Sequence, residues 1–393
     1  MIDRDRARAD TPGCLGRVFL DSAGSSLPPE PVVEAVIGHL RREAEVGGYV
    51  AAEERADDLD GLRDSVARLL GTAPGCIALT DSATRAWAQF FYAVRLAPGD
   101  RILLSETEYA SNAVAALQRA RAHGALVEVV PSNASGELDL DALERMLDER
   151  VRLLSIVHVP TNGGLVNPVY EATRLAHGVG ALVLVDGCQS VGQLDVNVGE
   201  LDVDALSATG RKWLRGPRGT GVLYVRQALI DELEPPVVDL ESATWTEPDR
   251  YRLRDDARRF ELWEADVAAR LGLAAAVDYL LDLGVNAVAA DVAARAERLR
   301  ELLRAIPGVT VTDLGRHRSG IVSFNVDGVT PDDVRTALAR TQVIVSVSGR
   351  TSTLLDMSRR QLDSVVRASP HYFVSDDQLR AAADAVAAVA GSV

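Results

Sequence analysis

Short runs of valine, isoleucine and leucine alternate with segments of helical periodicity through the middle of the chain. Runs without polar residues at alternate positions are typical of strands that are buried on both faces. We predict strands at residues 77–80, 101–105, 127–130, 153–159, 182–185 and 221–225. Amphipathic helices are predicted between them, for example at residues 139–147 and 170–177. This alternation predicts an α/β fold with a mostly parallel sheet sandwiched by helices.

The pattern changes in the last part of the chain. Prolines, aspartates and threonines in residues 234–249 predict a loop. Two long helices are predicted at residues 265–283 and 286–305, then strands at residues 309–312, 321–326 and 343–346, and a final alanine-rich helix after Ser375. We therefore predict a large domain at residues 18–257 and a smaller α+β domain formed by residues 1–17 and 258–393.

The charge of the chain is strongly negative, with 42 lysines and arginines, 57 aspartates and glutamates and a formal net charge of −15. Such a surface repels phosphate backbones and anionic lipid, so we expect neither a nucleic acid nor a membrane as partner. The N-terminal residues carry charges of both signs and no apolar segment, unlike a secretory signal. The three cysteines and six histidines are scattered, so neither disulfides nor a metal site is expected. A cytoplasmic protein is the expectation.

A lysine in a glycine-rich segment is the most informative feature. Lys212 lies in residues 207–224 between two apolar runs, with Arg211 and Arg215 beside it. A partly buried lysine with cationic neighbours has a lowered pKa and can act as an amine nucleophile. Arg211 can also pair with a phosphate group. On this segment alone, a basic surface loop with a solvated lysine is an equally good interpretation.

Asp186 and Gln189 follow the apolar run at residues 182–185. In an open α/β sheet, ligands bind at the carboxyl ends of the strands, so both side chains are candidates for a binding site. A carboxylate there can hold a ring nitrogen of a ligand in its protonated form, because the opposite charge stabilises the cation. A helix N-cap at the same junction is the simpler alternative.

Two more segments follow predicted strands in the same way. Small and hydroxyl residues at positions 81–84 open a predicted helix, where backbone N–H groups favour a phosphate. Capping by Asp81 or Ser82 is the alternative. Tyr109 follows the run at residues 101–105 and can stack on an aromatic ring, although an ordinary half-buried tyrosine explains it equally well.

Taken in order, these segments resemble the class V aminotransferase family, fold-type-I enzymes that use pyridoxal 5′-phosphate (PLP) and include the cysteine desulfurases. The resemblance runs from residue 20 to residue 372 and includes a Val-Pro-Thr-Asn segment that ends at Asn162. It implies a fold-type-I PLP enzyme whose large domain binds the cofactor and which forms a homodimer.

The resemblance also implies a role for each matching residue. Lys212 matches the lysine that holds PLP as a Schiff base, and Asp186 the carboxylate that pairs with the pyridine nitrogen. Arg367 matches the arginine that binds the substrate α-carboxylate, and these three are the predicted catalytic residues. The other predicted cofactor contacts are Ala83 (through its N–H), Thr84 and Thr209 at the phosphate, Tyr109 and Arg211 where the family usually has histidines, Asn162, and Gln189 at the ring oxygen.

Residues 43–49 and 211–218 look closer still to the PLP-dependent carbon–sulfur lyases of ergothioneine biosynthesis, with sulfur-processing enzymes of lincosamide pathways as further relatives. Two departures from the family pattern stand out. Residues 346–353, where a desulfurase carries its nucleophilic cysteine, contain none. Trp263 and Glu264 occupy the place of a Gly-Thr pair that in many members reaches the phosphate of the neighbouring subunit. Their roles, and that of His371, stay open.

We therefore predict a PLP-dependent lyase that eliminates the sulfur substituent of a cysteine-derived thioether or sulfoxide. Arg367 orients the substrate and Lys212 removes the Cα proton as general base. The same early steps support aminotransfer, epimerisation or decarboxylating deamination, and a cysteine desulfurase is a further alternative, because a fold does not separate them. A non-catalytic PLP-binding protein is disfavoured, because it has no need for Lys212, Asp186 and Arg367 together.

Overall fold

The computed structural model of the protein describes residues 2–391. Its strands are β1 Val18–Phe19, β2 Ile77–Thr80, β3 Arg101–Ser105, β4 Leu126–Val130, β5 Val151–Val157, β6 Leu182–Asp186, β7 Ala205–Thr209, β8 Gly221–Val225, β9 Ala243–Glu247, β10 Arg250–Leu253, β11 Val309–Val311, β12 Val322–Val326, β13 Val343–Ile344, β14 Ser346–Gly349 and β15 Ser364–Ala368. Its helices are α1 Arg4–Ala9, α2 Ser22–Ser25, α3 Glu30–Val46, α4 Gly48–Glu53, α5 Ala56–Leu70, α6 Ala83–Ala93, α7 Ala110–His123, α8 Leu140–Met146, α9 Val169–His177, α10 Val198–Leu201, α11 Gln227–Ile230, α12 Val267–Leu283, α13 Val285–Arg304, α14 Pro331–Arg340, α15 Leu354–Arg359 and α16 Asp376–Ala390.

A seven-stranded sheet forms the centre of the molecule, in the order β2-β8-β7-β6-β5-β3-β4. Neighbours from β7 to β4 are parallel, whereas β8 runs antiparallel to both β7 and β2. Every residue of β3, β7 and β8 is buried. Burial on both faces requires helices on both sides, so the predicted α/β fold with a mostly parallel sheet is confirmed.

A second, four-stranded antiparallel sheet lies in the C-terminal part of the chain, in the order β11-β12-β15-β14. Helices α13 and α14 pack against this sheet, and α16 packs against both of those helices. Strand β1 pairs in parallel with β13, so the first strand of the predicted large domain lies against the C-terminal region. The exact division at residues 18 and 258 remains a prediction.

The structure differs from the predicted elements at several points, and the following differences bear on the architecture. Residues 234–249 are not a plain loop, because β9 within them pairs with β10 as an antiparallel hairpin. The predicted strand at residues 343–346 is divided into β13 and β14, which belong to different sheets. Strands β7 and β15 were missed, because their small and polar residues hide the apolar pattern of a buried strand.

Helix α12 packs against α3 and α5 and buries much of its length. Within residues 2–391, no single helix is long and apolar enough to cross a membrane. Only taken together are helices α12 and α13 long and apolar enough, and their axes are bent by 84° relative to each other.

Candidate active site

A cavity of about 120 Å³ lies at the carboxyl edge of the central sheet. The segments that follow five strands, β2, β3, β5, β6 and β7, supply its walls. Its lining residues are Ser82, Ala83, Thr84, Tyr109, Val157, Val159, Thr161, Asp186, Cys188, Gln189, Thr209, Arg211 and Lys212. Residues that are more than a hundred positions apart in the sequence therefore meet in one site, as expected for an α/β sheet.

Lys212 follows β7 by three residues and projects into this cavity. Burial lowers the pKa of Lys212, and the positive charges of Arg211 and Arg367 lower it further, against the opposing effect of Asp186. A lowered pKa increases the fraction of neutral amine, which is the nucleophilic and basic form. The loop interpretation in which Lys212 is solvated does not describe this structure.

Asp186 ends β6 with its carboxylate buried at the floor of the cavity. Its Oδ1 accepts a hydrogen bond from the backbone N–H of Cys188 at 2.9 Å, and its Oδ2 accepts one from Asn112 Nδ2 at 3.0 Å. These two donors fix the direction of the carboxylate. A buried carboxylate in this position stabilises a cationic partner in the cavity.

A second buried carboxylate, that of Glu108, is linked to Asp186 through the side chain of Asn112. Asn112 Nδ2 also donates to Glu108 Oε1 at 2.9 Å, and Glu108 Oε2 accepts from Ser155 Oγ at 2.8 Å. Burial raises the pKa of Glu108 to about 7, and the nearby charge of Asp186 adds to this effect. Glu108 and Asn112 were not predicted as site residues, although both lie within three residues of Tyr109.

The start of helix α6 forms one wall of the cavity. Ser82 caps this helix, its Oγ accepting from the backbone N–H of Arg85 at 3.2 Å. The first N–H groups of a helix have no partner within it, so those of Ala83 and Thr84 are free to bind an anion. Gly221 of β8 lies so close that a Cβ there would be 2.4 Å from the carbonyl carbon of Ser82. Thr209 lines the same cavity from the end of β7.

Arg367 lies on β15 at the junction of the two sheets. Its guanidinium donates to Thr161 Oγ1 at 2.8 Å, to Asp21 Oδ1 at 3.2 Å and to Ser346 Oγ at 3.1 Å. Burial lowers the pKa of Arg367, but an arginine remains charged, so its charge is held beside the cavity. Asn162 is placed differently, because its Nδ2 donates to Asp356 Oδ2 at 2.7 Å and its neighbour Thr161 lines the cavity.

His371, Trp263 and Glu264, whose roles the sequence leaves open, do not line the cavity. His371 is fully buried, and its Nε2 bonds to the carbonyl oxygen of Trp213 at 3.1 Å. Trp263 is 44% exposed and meets the ring of Tyr49 edge-on. Glu264 lines a separate cavity of about 320 Å³ together with Arg85 and Arg270.

The chemistry of the cavity fits PLP. A neutral amine, a buried carboxylate and the free N–H groups at the start of α6 match the aldehyde, the ring nitrogen and the phosphate of this cofactor. Tyr109 contributes an aromatic side chain to the lining of the same cavity. The fold and this donor set define a fold-type-I PLP enzyme.

The comparisons with known proteins identify the family. The class V aminotransferase model matches residues 18–381, and the chain belongs to this family. It is 30% identical over 390 residues to a probable cysteine desulfurase of Methanothermobacter thermautotrophicus, covering 98% of this chain and 97% of that one. A probable cysteine desulfurase of Halobacterium salinarum is 33% identical over 360 residues, which cover 86% of this chain and 85% of the relative.

Solved structures agree with this assignment. The crystal structure of the cysteine desulfurase CsdA from Escherichia coli matches with a TM-score of 0.92 and 26% identity, over 100% of both chains. The cystine C–S lyase C-DES matches with a TM-score of 0.87 at 23% identity, which shows a common fold. The protein is therefore a PLP-dependent lyase of the class V aminotransferase family, with relatives in sulfur metabolism.

Proposed function

We propose that the protein cleaves the carbon–sulfur bond of a cysteine-derived thioether or sulfoxide by elimination. The observation that carries this proposal is the absence of a thiol beside the arginine that is predicted to bind the substrate. Strand β14 and the turn after it, residues 346–353, lie next to Arg367 and contain no cysteine. A desulfurase needs a thiolate that attacks the substrate sulfur, whereas an elimination does not.

None of the three cysteines is well suited to receive sulfur. Cys14 and Cys76 are buried, and the thiol of Cys76 donates a hydrogen bond to Gln227 Oε1. Cys188 lines the cavity, but burial raises its pKa well above the usual value and the charge of Asp186 raises it further. The thiol therefore stays protonated near neutral pH, and the nucleophilic thiolate is scarce.

Three side chains have separate roles in the proposed elimination. PLP, when bound, accepts the electrons left at Cα when a bond there breaks. Arg367 binds the α-carboxylate and orients the Cα–H bond, and the neutral amine of Lys212 takes that proton. Asp186 holds a proton on the ring nitrogen through its negative charge. The sulfur then leaves Cβ with its own substituent, and water hydrolyses the remaining three-carbon enamine to pyruvate and ammonium.

Cysteine desulfurase activity is the second candidate, and the names of the relatives favour it. The two archaeal relatives are named probable cysteine desulfurases, and CsdA is named a cysteine desulfurase. That reaction converts cysteine to alanine and leaves its sulfur as a persulfide. Cys188 is the thiol nearest to Lys212 that it could use.

A product assay separates the two candidates. The PLP-loaded protein is incubated separately with L-cysteine and with S-ethyl-L-cysteine and its sulfoxide, and pyruvate, ammonium and alanine are quantified. Elimination predicts pyruvate and ammonium in equal amounts from the S-ethyl substrates. Alanine from cysteine, with no turnover of the S-ethyl compounds, would establish the desulfurase instead. The Lys212→Ala variant, which should lose the visible absorbance of bound PLP, gives the background rate.

We also propose that the protein is a homodimer, as the resemblance to its family implies. The β9–β10 hairpin pairs with no further strand in residues 2–391 and exposes Trp245 and Tyr251, at 78% and 50% of their surface. Large exposed aromatic side chains favour a protein contact. Light scattering should give twice the 42.0 kDa mass of the chain, and a single-chain mass at micromolar concentration would contradict this.

A further inference from the structure

Trp213 contacts the cofactor cavity only through another residue. It follows Lys212 directly, and its side chain is 1% exposed. The indole Nε1–H donates to Oε1 of Gln189 at 2.9 Å. Gln189 lines the cavity, whereas Trp213 is not among its lining residues. The indole therefore reaches the cavity lining through its hydrogen bond to the Gln189 amide.

Two neighbours fix the orientation of this amide. The indole nitrogen of Trp213 can only donate a hydrogen bond, so the oxygen of Gln189 must face it. The carbonyl oxygen of Ala23 can only accept, and it lies 3.0 Å from Gln189 Nε2. The other contact of Nε2 is Thr161 Oγ1, a weaker partner at 3.3 Å on the cavity wall. The amide therefore presents a donor, not an acceptor, to the cavity.

Trp213 is itself held rigidly. His371 Nδ1 accepts from the backbone N–H of Tyr372 at 3.0 Å, so Nε2 carries the proton that is donated to the Trp213 carbonyl. Burial lowers the pKa of His371 to about 3, which keeps this ring neutral. Gly320 packs against the indole ring, where a Cβ would lie 2.7 Å from Trp213 Cη2. The indole thus has little freedom to turn away from Gln189.

We propose that Trp213 is a positioning residue that keeps the Gln189 amide turned so that Nε2 donates to the anionic ring oxygen of PLP. Without the indole donor, only the Ala23 carbonyl still holds the amide, so orientations that present its oxygen to that anion, which is repulsive, become more populated. The inference rests on the PLP site, which elimination and desulfuration share, and not on the fate of the sulfur. It assigns Trp213 no contact with substrate or cofactor.

The first test is a pH titration of the visible absorbance of the PLP-loaded protein. A donor to the ring oxygen competes with the proton that this oxygen shares with the Lys212 nitrogen, so losing the donor raises the pKa of that proton. Trp213→Phe removes the N–H and should shift the midpoint upward by about one pH unit or more. Trp87→Phe is the matched control, because the buried Trp87 Nε1 has no hydrogen-bond partner. A midpoint equal to that of Trp87→Phe would overturn the proposal.

The second test does not require Trp213→Phe to fold. The chain has four tryptophans, of which Trp245 and Trp263 are exposed. Trp87→Phe identifies the Trp87 indole resonance in a ¹⁵N spectrum, which leaves one slowly exchanging indole N–H for Trp213. Gln189→Leu should move that resonance upfield and speed its hydrogen exchange, with PLP bound and after its removal. An unmoved resonance would exclude the contact, whereas a protein that never binds PLP would instead refute the proposed function.

Discussion

At the scale of single residues, Arg367 has a carboxylate partner before any substrate arrives. Asp21 contacts the guanidinium at 3.2 Å, and Ser346 and Thr161 occupy further donors. A buried guanidinium without a partner is costly, so Asp21 stabilises the charge and directs the side chain. Asp21 lies near the start of the chain, and a sequence pattern alone does not pair it with residue 367.

Replacing this arginine should affect substrate binding more than cofactor binding. Arg367→Ala removes a charge-assisted hydrogen bond to the α-carboxylate and should raise KM about 10- to 100-fold while PLP remains bound. Arg380→Ala is the control, because Arg380 pairs with the exposed Asp377 on helix α16. Steady-state kinetics with either candidate substrate decide the point, and an unchanged KM in Arg367→Ala would remove Arg367 as the anchor.

Glu108 should make the stability of the protein depend on pH. Burial raises its pKa from 4.5 to about 7, so the folded state holds the proton more tightly than the unfolded state. The contribution of Glu108 to stability is therefore fully present below about pH 4.5 and is lost, by about 3 kcal/mol, as the pH rises through 7. Glu108→Gln mimics the protonated form, because its amide can donate to Ser155 and still accept from Asn112 and the N–H of Tyr109.

Denaturant unfolding of both PLP-loaded proteins at about pH 5 and about pH 8 measures this effect. The wild type should lose more stability between the two pH values than Glu108→Gln. Equal losses would show that Glu108 does not titrate in this range.

At the scale of elements, the sequence predicted strands best where apolar residues are continuous. Strands β2, β3 and β8 have the predicted bounds. Strand β7, with the sequence Ala-Leu-Ser-Ala-Thr, is buried only because its neighbours and helix α6 cover it, and no local pattern shows that. The loops after β6 and β7 were recognised from motifs, whereas the Glu108–Asn112–Asp186 contacts depend on the pairing of distant segments.

The contact between β8 and the start of α6 should control cofactor affinity. Gly221→Ala places a Cβ against the backbone of Ser82 and must displace the N–H groups predicted to bind the phosphate. Such overpacking costs about 1–3 kcal/mol, and we expect PLP affinity to fall about tenfold or more. Gly38→Ala in α3 meets nothing within 4 Å and serves as the control. Equal PLP dissociation constants, measured by absorbance titration, would contradict the predicted role of this helix end.

At the scale of the whole molecule, the positions of all three cysteines lead to a single test. A variant with Cys14→Ala, Cys76→Ala and Cys188→Ala is first checked for folding and PLP content. We expect it to process a cysteine conjugate at a rate close to that of the wild type, because an elimination uses no protein thiol. Loss of turnover with PLP retained, together with labelled sulfur on Cys188 of the wild type, would identify a desulfurase.

The residues of the cofactor cavity and those around Arg367 leave the ribosome at different times. The cavity is lined only by residues between Ser82 and Lys212, whereas Asp21 meets Arg367 across 346 positions and β1 pairs with β13. Domains fold from the N-terminus during synthesis, and contacts between distant residues form late. The residues that line the cofactor pocket are therefore synthesised before Arg367, whereas its partner Asp21 is synthesised before all of them. The contact between Asp21 and Arg367 therefore joins one of the first segments of the chain to be synthesised to one of the last.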